Sequence, residues 1–247
     1  MTRSGSCKPA QVHKKGSINK LLPVILYSTL TPDTDMNSAF STWRSAIQND
    51  TFRKHLVLTL ILLIACAIAA PPIFRFVEIR KGIVLSDPVL DVLQPAEVSL
   101  YIFGLLYLFI IIGLIGILQS PTLLVVGLKA YLLITLFRFI TLLLVPLDAP
   151  PGLLLLKDPL VDKLFYQQPI TKDLFFSGHT GILALFMFLL WNKGVWRWVY
   201  ATGTLMIGIL LLIQHAHYTL DVLVAPAFAW LAVKLAMKIK PVRESAP

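Results

Sequence analysis

Long apolar runs broken by short polar stretches dominate this chain. Leu56–Val77, Val98–Gln119 and Leu123–Leu147 are almost wholly apolar. Three further runs follow at Ser177–Asn192, Trp198–Ile213 and His217–Lys238. Crossing a bilayer takes about 20 mostly apolar residues. A helix that is apolar all round, rather than along one stripe, belongs in lipid or in a large core. The pattern therefore predicts an all-α polytopic membrane protein with six spans. "NKGVWR" joins the fourth span to the fifth, and "QHAH" joins the fifth to the sixth.

Residues 1–52 break this pattern. They are polar, and 1–35 are loop-like without amphipathic repeats. The expected organisation is a polar tail over 1–52, poorly ordered in part, a membrane body over 53–238 and a short basic tail over 239–247. "LIAC" and "AIAA" in the first run imitate a lipoprotein box and a signal cleavage site. The apolar core continues through "PPIF", however, beyond the roughly 7–15 residues of a signal core, so the run is read as a retained span. A start at Met36 would still keep the anchor Arg53–Lys54–His55.

Composition agrees with the lipid reading. Apolar residues make up 57% of the 247 and charged residues 14%, against about 25% charged in a soluble domain. The net charge of +9 gathers at the ends and in a few loops, which signals orientation and contact with anionic lipid headgroups rather than nucleic acid. Eight basic residues precede span one: Arg3, Lys8, Lys14, Lys15, Lys20, Arg44, Arg53 and Lys54. Lys238, Lys240 and Arg243 end the chain. With an even number of spans, both termini are expected in the cytoplasm. Loops one and three then face the other side. There their bases are balanced by Glu78, Asp87, Asp91 and Glu97, and by Asp148, Asp158, Asp162 and Asp173. Cys7 and Cys66 suggest no disulfide. No ligand cluster suggests a metal, and no cofactor is expected.

A few polar groups inside the apolar body carry the chemistry. Arg138 lies in span three, where a charge at helix centre costs about 2.5–3.5 kcal/mol on insertion scales. It either snorkels to an interface or faces a cavity. It lies roughly nine residues from the expected outer end, which favours a cavity. Its planar fork suits a phosphate. His217 and Asp221 are four apart and share a helix face. A carboxylate there fixes the imidazole tautomer and raises its basicity. A buried pair gluing helices together would look the same. His179 shifts the balance, because "SGHT" (177–180), "HYTLDV" (217–222) and the end of span three all fall on one expected membrane face. A phosphate clamp, an oriented nucleophilic histidine and a second histidine as acid/base form a constellation for phosphoryl chemistry.

"SGHT" and "HYTLDV" resemble the last two motifs of the sphingomyelin synthase group, within the type-2 phosphatidic acid phosphatase (PAP2) superfamily. "FRFIT" (137–141) is similar to part of that group's second motif, with Phe137 in place of Tyr, and "LSDPVLD" around Asp87 and Asp91 is a distant echo of its first. The resemblance spans roughly 56–238. It implies a six-helix bundle of the PAP2/sphingomyelin synthase type with an extracytosolic active site. It also implies His217 as nucleophile, Asp221 as its orienter and His179 as acid/base. Arg138, Ser177, Gly178, Thr180 and Tyr218 then bind substrate. Partners would be membrane lipids: a glycerophospholipid donor of phosphocholine or phosphoethanolamine, and ceramide or a diacylglycerol-like acceptor. A lipid phosphatase or phospholipase C using water would need the same residues. A non-catalytic lipid-binding or transport protein is the reading from a different class. Tyr101, Phe103, Tyr107, Phe165, Tyr166, Phe175, Phe176 and Tyr218 are candidates for a headgroup pocket, although interfacial aromatics are commoner than cation cages. His215 is read as structural or interfacial.

Overall fold

The computed structural model describes residues 36–158 and 170–239. Cys7, Asp162, Phe165, Tyr166, Lys240, Arg243 and the five basic residues from Arg3 to Lys20 lie outside them. Among the described residues the chain forms eight helices and no strand. These are α1 Met36–Gln48, α2 Asp50–Ile79, α3 Pro88–Val92, α4 Ser99–Leu118, α5 Pro121–Leu144, α6 Gly178–Leu189, α7 Trp196–Ile213 and α8 Thr219–Lys238. An isolated parallel bridge pairs Ile83 with Leu147.

The helix ends follow local chemistry. The Asn49 side chain accepts from Thr51 and Phe52 amides and starts α2. Asp87 followed by Pro88 starts α3, and Ser120 followed by Pro121 starts α5, the expected pairing of an oxygen cap with proline in the first turn. The third apolar run was expected to stay helical to Leu147, yet α5 stops at Leu144. Arg80 explains the early stop. It donates to the carbonyls of Leu142, Leu143 (2.7 Å) and Val145 (3.2 Å), taking up groups that the last turn leaves unpaired. Pro146 then disfavours helix at Val145.

Five helices, α2, α4, α5, α7 and α8, are long and apolar enough to cross a membrane, the architecture of an integral membrane protein. The fourth expected span differs. α6 has 12 residues, about 18 Å of helix against a hydrocarbon core of about 30 Å. It is the central element, packed against α7 and α8 most extensively and also against α4 and α5. Leu183, Ala184, Leu185, Phe186 and Leu189 are buried on it. α2 is peripheral and leans on α5 and α1. α1 is an addition to the expected polar tail. Its Trp43 Nε1 donates to the Leu118 carbonyl at 3.1 Å, tying it to the end of α4.

Loops 80–98, 145–158 and 214–218 meet at one end of the bundle. Ala96 N donates to Ile213 O (3.0 Å), Leu154 N to Gln214 O (3.1 Å) and Asp148 N to Ile83 O (3.0 Å). Gln214, fully buried, ties them further. Its amide oxygen accepts from Val98 N at 2.6 Å, and its nitrogen donates to Ser99 Oγ at 3.0 Å and to Glu97 at 3.2 Å. These bonds hold Glu97 low, at about 2: the Ser99 hydroxyl contributes most, against some desolvation, with Gln214, the Ser99 amide and Lys157 adding to it.

Candidate active site

The stretch before α6 explains why that helix is short. Ile170 to Ser177 forms no regular helix or strand, so it cannot satisfy its own backbone, which a membrane interior tolerates only where protein does so. Glu78 accepts from the Thr171 and Lys172 amides at 3.0 and 3.1 Å, and three more partners serve the part nearer α6. Arg138 Nη1 donates to Phe176 O at 2.9 Å, Thr141 Oγ1 to Phe175 O at 2.9 Å, and Ser177 N to the Asp221 carbonyl at 3.1 Å. The last bond joins "SGHT" directly to "HYTLD".

Arg138 does not snorkel. Its second nitrogen pairs with Asp173, and its side chain is 14% exposed. Gly178 makes room for it, because a Cβ at 178 would fall on the guanidinium carbon and Nη1. The glycine of "SGH" is thus required by a close approach rather than by an unusual backbone angle.

On α6 the Ser177 hydroxyl accepts from Thr180 N at 3.3 Å and caps the helix. It is fully buried. The Thr180 hydroxyl and His179 Nδ1 are buried without a hydrogen-bond partner. His179 stands edge-on to Phe103, centroids 5.7 Å apart, and to His217 at 6.2 Å. His217 Nδ1 faces Asp221 Oδ2 at 3.4 Å, with both residues buried. The same oxygen accepts from Tyr218 N at 3.1 Å, so Asp221 caps α8 and orients the imidazole at once. With Nδ1–H turned to the carboxylate, His217 offers Nε2 for chemistry.

Tyr218, expected to bind substrate, is engaged by backbone groups. It is buried, and its hydroxyl donates to Asp148 O at 3.0 Å and accepts from Leu85 N at 3.2 Å. Backbone groups occupy that hydroxyl, which fastens loops one and three to the start of α8. Tyr101, 66% exposed, lies on the outer surface. Asp87, the echo of a first motif, has a structural task. Its carboxylate accepts from Thr219 N (2.6 Å) and Oγ1 (2.9 Å), at the first residue of α8. Burial pushes this carboxyl up, but hydrogen bonds from Thr219, Val89 and Leu90 outweigh it and hold the group below its ordinary value.

His215 is also structural. It sits in the left-handed region (φ 53°), its ring nitrogens 2.9 Å from Pro151 O and 3.2 Å from Leu93 O. It fastens loops one and three to the hinge two residues before His217. Two further residues were not evident from sequence. Asp173, read there as a loop acid, is Arg138's partner. Lys129, a second cation within an apolar run, is buried in α5 and donates to Ile239 O at 3.4 Å.

A cavity of about 430 Å³ adjoins these groups. Arg138, Asp173, Gly178 and His179 line it on the side of the site, with Tyr131 and Thr135 as further polar residues. Leu63, Cys66, Ala67 and Ala70 of α2, with Leu106 and Ile110 of α4, line much of the rest. Among the described residues, no group of three or more His, Cys, Asp or Glu is placed to hold a metal ion.

A buried His217 beside a carboxylate, a half-buried His179 facing it and a guanidinium in the wall of an apolar cavity make an arrangement compatible with phosphoryl chemistry on lipid-like molecules. Residues 172–238 match the family model described as PAP2 superfamily C-terminal. That segment runs from the residue before Asp173 to the end of α8 and holds both histidines. The match supports the PAP2 superfamily, and with it phosphoryl transfer or hydrolysis on lipid-like substrates. No curated protein and no solved structure matches the chain.

Proposed function

We propose that the protein transfers a phospho-headgroup, phosphocholine or phosphoethanolamine, from a glycerophospholipid to ceramide or a related lipid alcohol. The observation that carries this reading is the His179–His217 pair, centroids 6.2 Å apart, with His217 buried and His179 half-buried in the wall of an apolar cavity. Such a cavity suits a lipid alcohol better than water. In the first step His217 Nε2 attacks the donor phosphorus, and the bond to the diacylglycerol oxygen breaks. His179 supplies the proton that this oxygen takes up. Asp221 stabilises the developing cation on His217. Arg138 exchanges Asp173 for the phosphate oxygens and holds them as charge builds. In the second step the acceptor hydroxyl gives its proton to His179 while its oxygen attacks phosphorus. The phosphorus–nitrogen bond breaks and both histidines return to their starting states.

Six membrane crossings, cytoplasmic termini and an extracytosolic site complete the proposal. The basic residues of the opposite end support that orientation. Reconstituted protein with isotope-labelled donor lipid, with and without ceramide, provides the test. Labelled headgroup should appear on ceramide by mass spectrometry. Free phospho-headgroup released equally with and without ceramide would instead establish hydrolysis.

A further inference from the structure

All five tryptophans of the chain, Trp43, Trp191, Trp196, Trp198 and Trp230, lie in the half of the molecule away from the histidines. Three belong to one stretch, "WNKGVWRW", residues 191–198, which turns α6 into α7. It also holds Lys193 and Arg197, and no acid. The Arg197 guanidinium lies over the Trp191 ring at 5.9 Å and the Trp198 ring at 5.3 Å. Its Nε is buried without a hydrogen-bond partner. Lys193 Nζ reaches a neutral acceptor, Gln119 Oε1, at 3.4 Å. Among the described residues the one acid in this half is Asp50, and it pairs with Arg53. Two cations are therefore fixed in place, one by indole rings and one by an amide, without a counter-ion among the described residues.

The rings around them indicate what kind of anion would suit these cations. Trp191, Trp196 and Trp198 are 45%, 40% and 64% exposed at the ends of apolar helices, where indoles settle at headgroup depth. A guanidinium held between rings presents its fork with little orientation left to lose, and that fork matches two phosphate oxygens. We propose that residues 191–198 form a binding site for the phosphate of an anionic phospholipid, in the leaflet opposite the one served by the histidines. Arg197 takes the phosphate, Lys193 adds charge, and the three indoles seat the glycerol region. This site is independent of the transferase reading.

The tryptophan distribution supplies the reporter. The full chain is reconstituted in vesicles containing equal fractions of phosphatidylglycerol and phosphatidylcholine, with only one of the two brominated near the glycerol end of its chains. A cation near an anionic surface is worth about 1 kcal/mol, roughly a five-fold preference. We expect brominated phosphatidylglycerol to quench tryptophan fluorescence at least twofold more effectively than brominated phosphatidylcholine. Arg197→Gln combined with Lys193→Gln should abolish the difference, while Arg197→Lys should retain part of it. Circular dichroism of the double variant checks that it remains helical. If it does not, the same comparison in wild type at 1 M salt, where the Debye length falls to about 3 Å, should show the preference reduced. Equal quenching in wild type would overturn the proposal, as would a preference that survives both the double substitution and high salt. Loss of the preference on adding inorganic phosphate at constant ionic strength would reassign the site to free phosphate.

Discussion

The two ends of the bundle handle charge in opposite ways. At the histidine end nearly every ionic group is engaged: Arg138 with Asp173, Lys172 with Asp148 at 2.7 Å, Lys157 with Glu97 at 3.5 Å, and Arg80 with helix-end carbonyls. Its loops are bonded to one another through Gln214, His215 and Tyr218. The other end carries Arg44, Lys54, Arg197, Lys234 and Lys238 with a single acid among the described residues, Asp50, which pairs with Arg53, and indoles stand in for carboxylates. Lys234 lies 4.4 Å from the Trp230 centroid. The first arrangement holds its groups in place through internal bonds, as positioned chemistry requires. The second leaves charge for a soft, negatively charged surface to neutralise.

Substitutions should separate the ends. The largest effect belongs to His217→Ala, expected to lower turnover on the order of 10⁶-fold, the scale seen when one member of a catalytic unit is removed. Asp221→Asn should cost about 10⁴-fold. Neither should alter lipid-dependent tryptophan quenching, because the reporters lie at the other end. Trapping of a phospho-headgroup on protein, followed by acid-labile release, should succeed in wild type and fail in His217→Ala. Equal trapping in both would remove His217 as nucleophile.

Arg138→Lys keeps a cation but loses the fork, so turnover should fall about 10²–10³-fold, as when one transition-state donor is lost. Because Arg138 also serves the Phe176 carbonyl, the variant should melt at a lower temperature as well. Full activity would limit Arg138 to that structural bond. Gly178→Ala, which places a methyl where the guanidinium sits, should cost about 10²-fold through misplacement. A steady-state assay beside Arg138→Lys tests whether both act through one group, since the double substitution should then cost little more than Arg138→Lys alone.

The apolar body was legible because lipid demands long apolar runs. Five of the six runs became helices long enough to span, with ends within a few residues of expectation except at Asp50, where an Asn cap extends α2 outward, and at Leu144, where Arg80 ends α5. Arg80 lies 62 positions from Leu142, whose carbonyl it takes up, and no local pattern announces it. The convergence of His179, His217 and Asp221 was also readable, since span alternation alone puts them at one end. Their neighbours were less so. Asp173 looked like one loop acid among several. Asp87 looked like a motif remnant, whereas its carboxylate holds Thr219. Tyr218 sits inside a motif, yet its hydroxyl points to backbone. These depend on how loops fold over the site, which periodicity does not encode.

The smallest expected effect concerns those loops. Glu97 is held at about 2 against an ordinary 4.5. A depressed carboxyl stabilises the fold above its ordinary value, and that stabilisation is lost as pH falls from 4.5 through about 2. Thermal unfolding in detergent should show wild type losing a small increment over that window, and Glu97→Gln losing less. Parallel curves would mean the loop knot does not depend on the Glu97 charge.

The bond from Ser177 N to the Asp221 carbonyl bears on how the protein is made. The chain enters the membrane from its N-terminus onward, so α2, α4, α5 and α6 are present before Asp221 leaves the ribosome. Until then Arg138 and Thr141 hold the segment before His179, but the Ser177 amide lacks its carbonyl partner and His217 has no carboxylate beside it. On the proposed mechanism, the site is complete only once the last helix is in place. A nascent chain arrested before α8 should bury most of its apolar surface and still leave the surrounding lipids untouched.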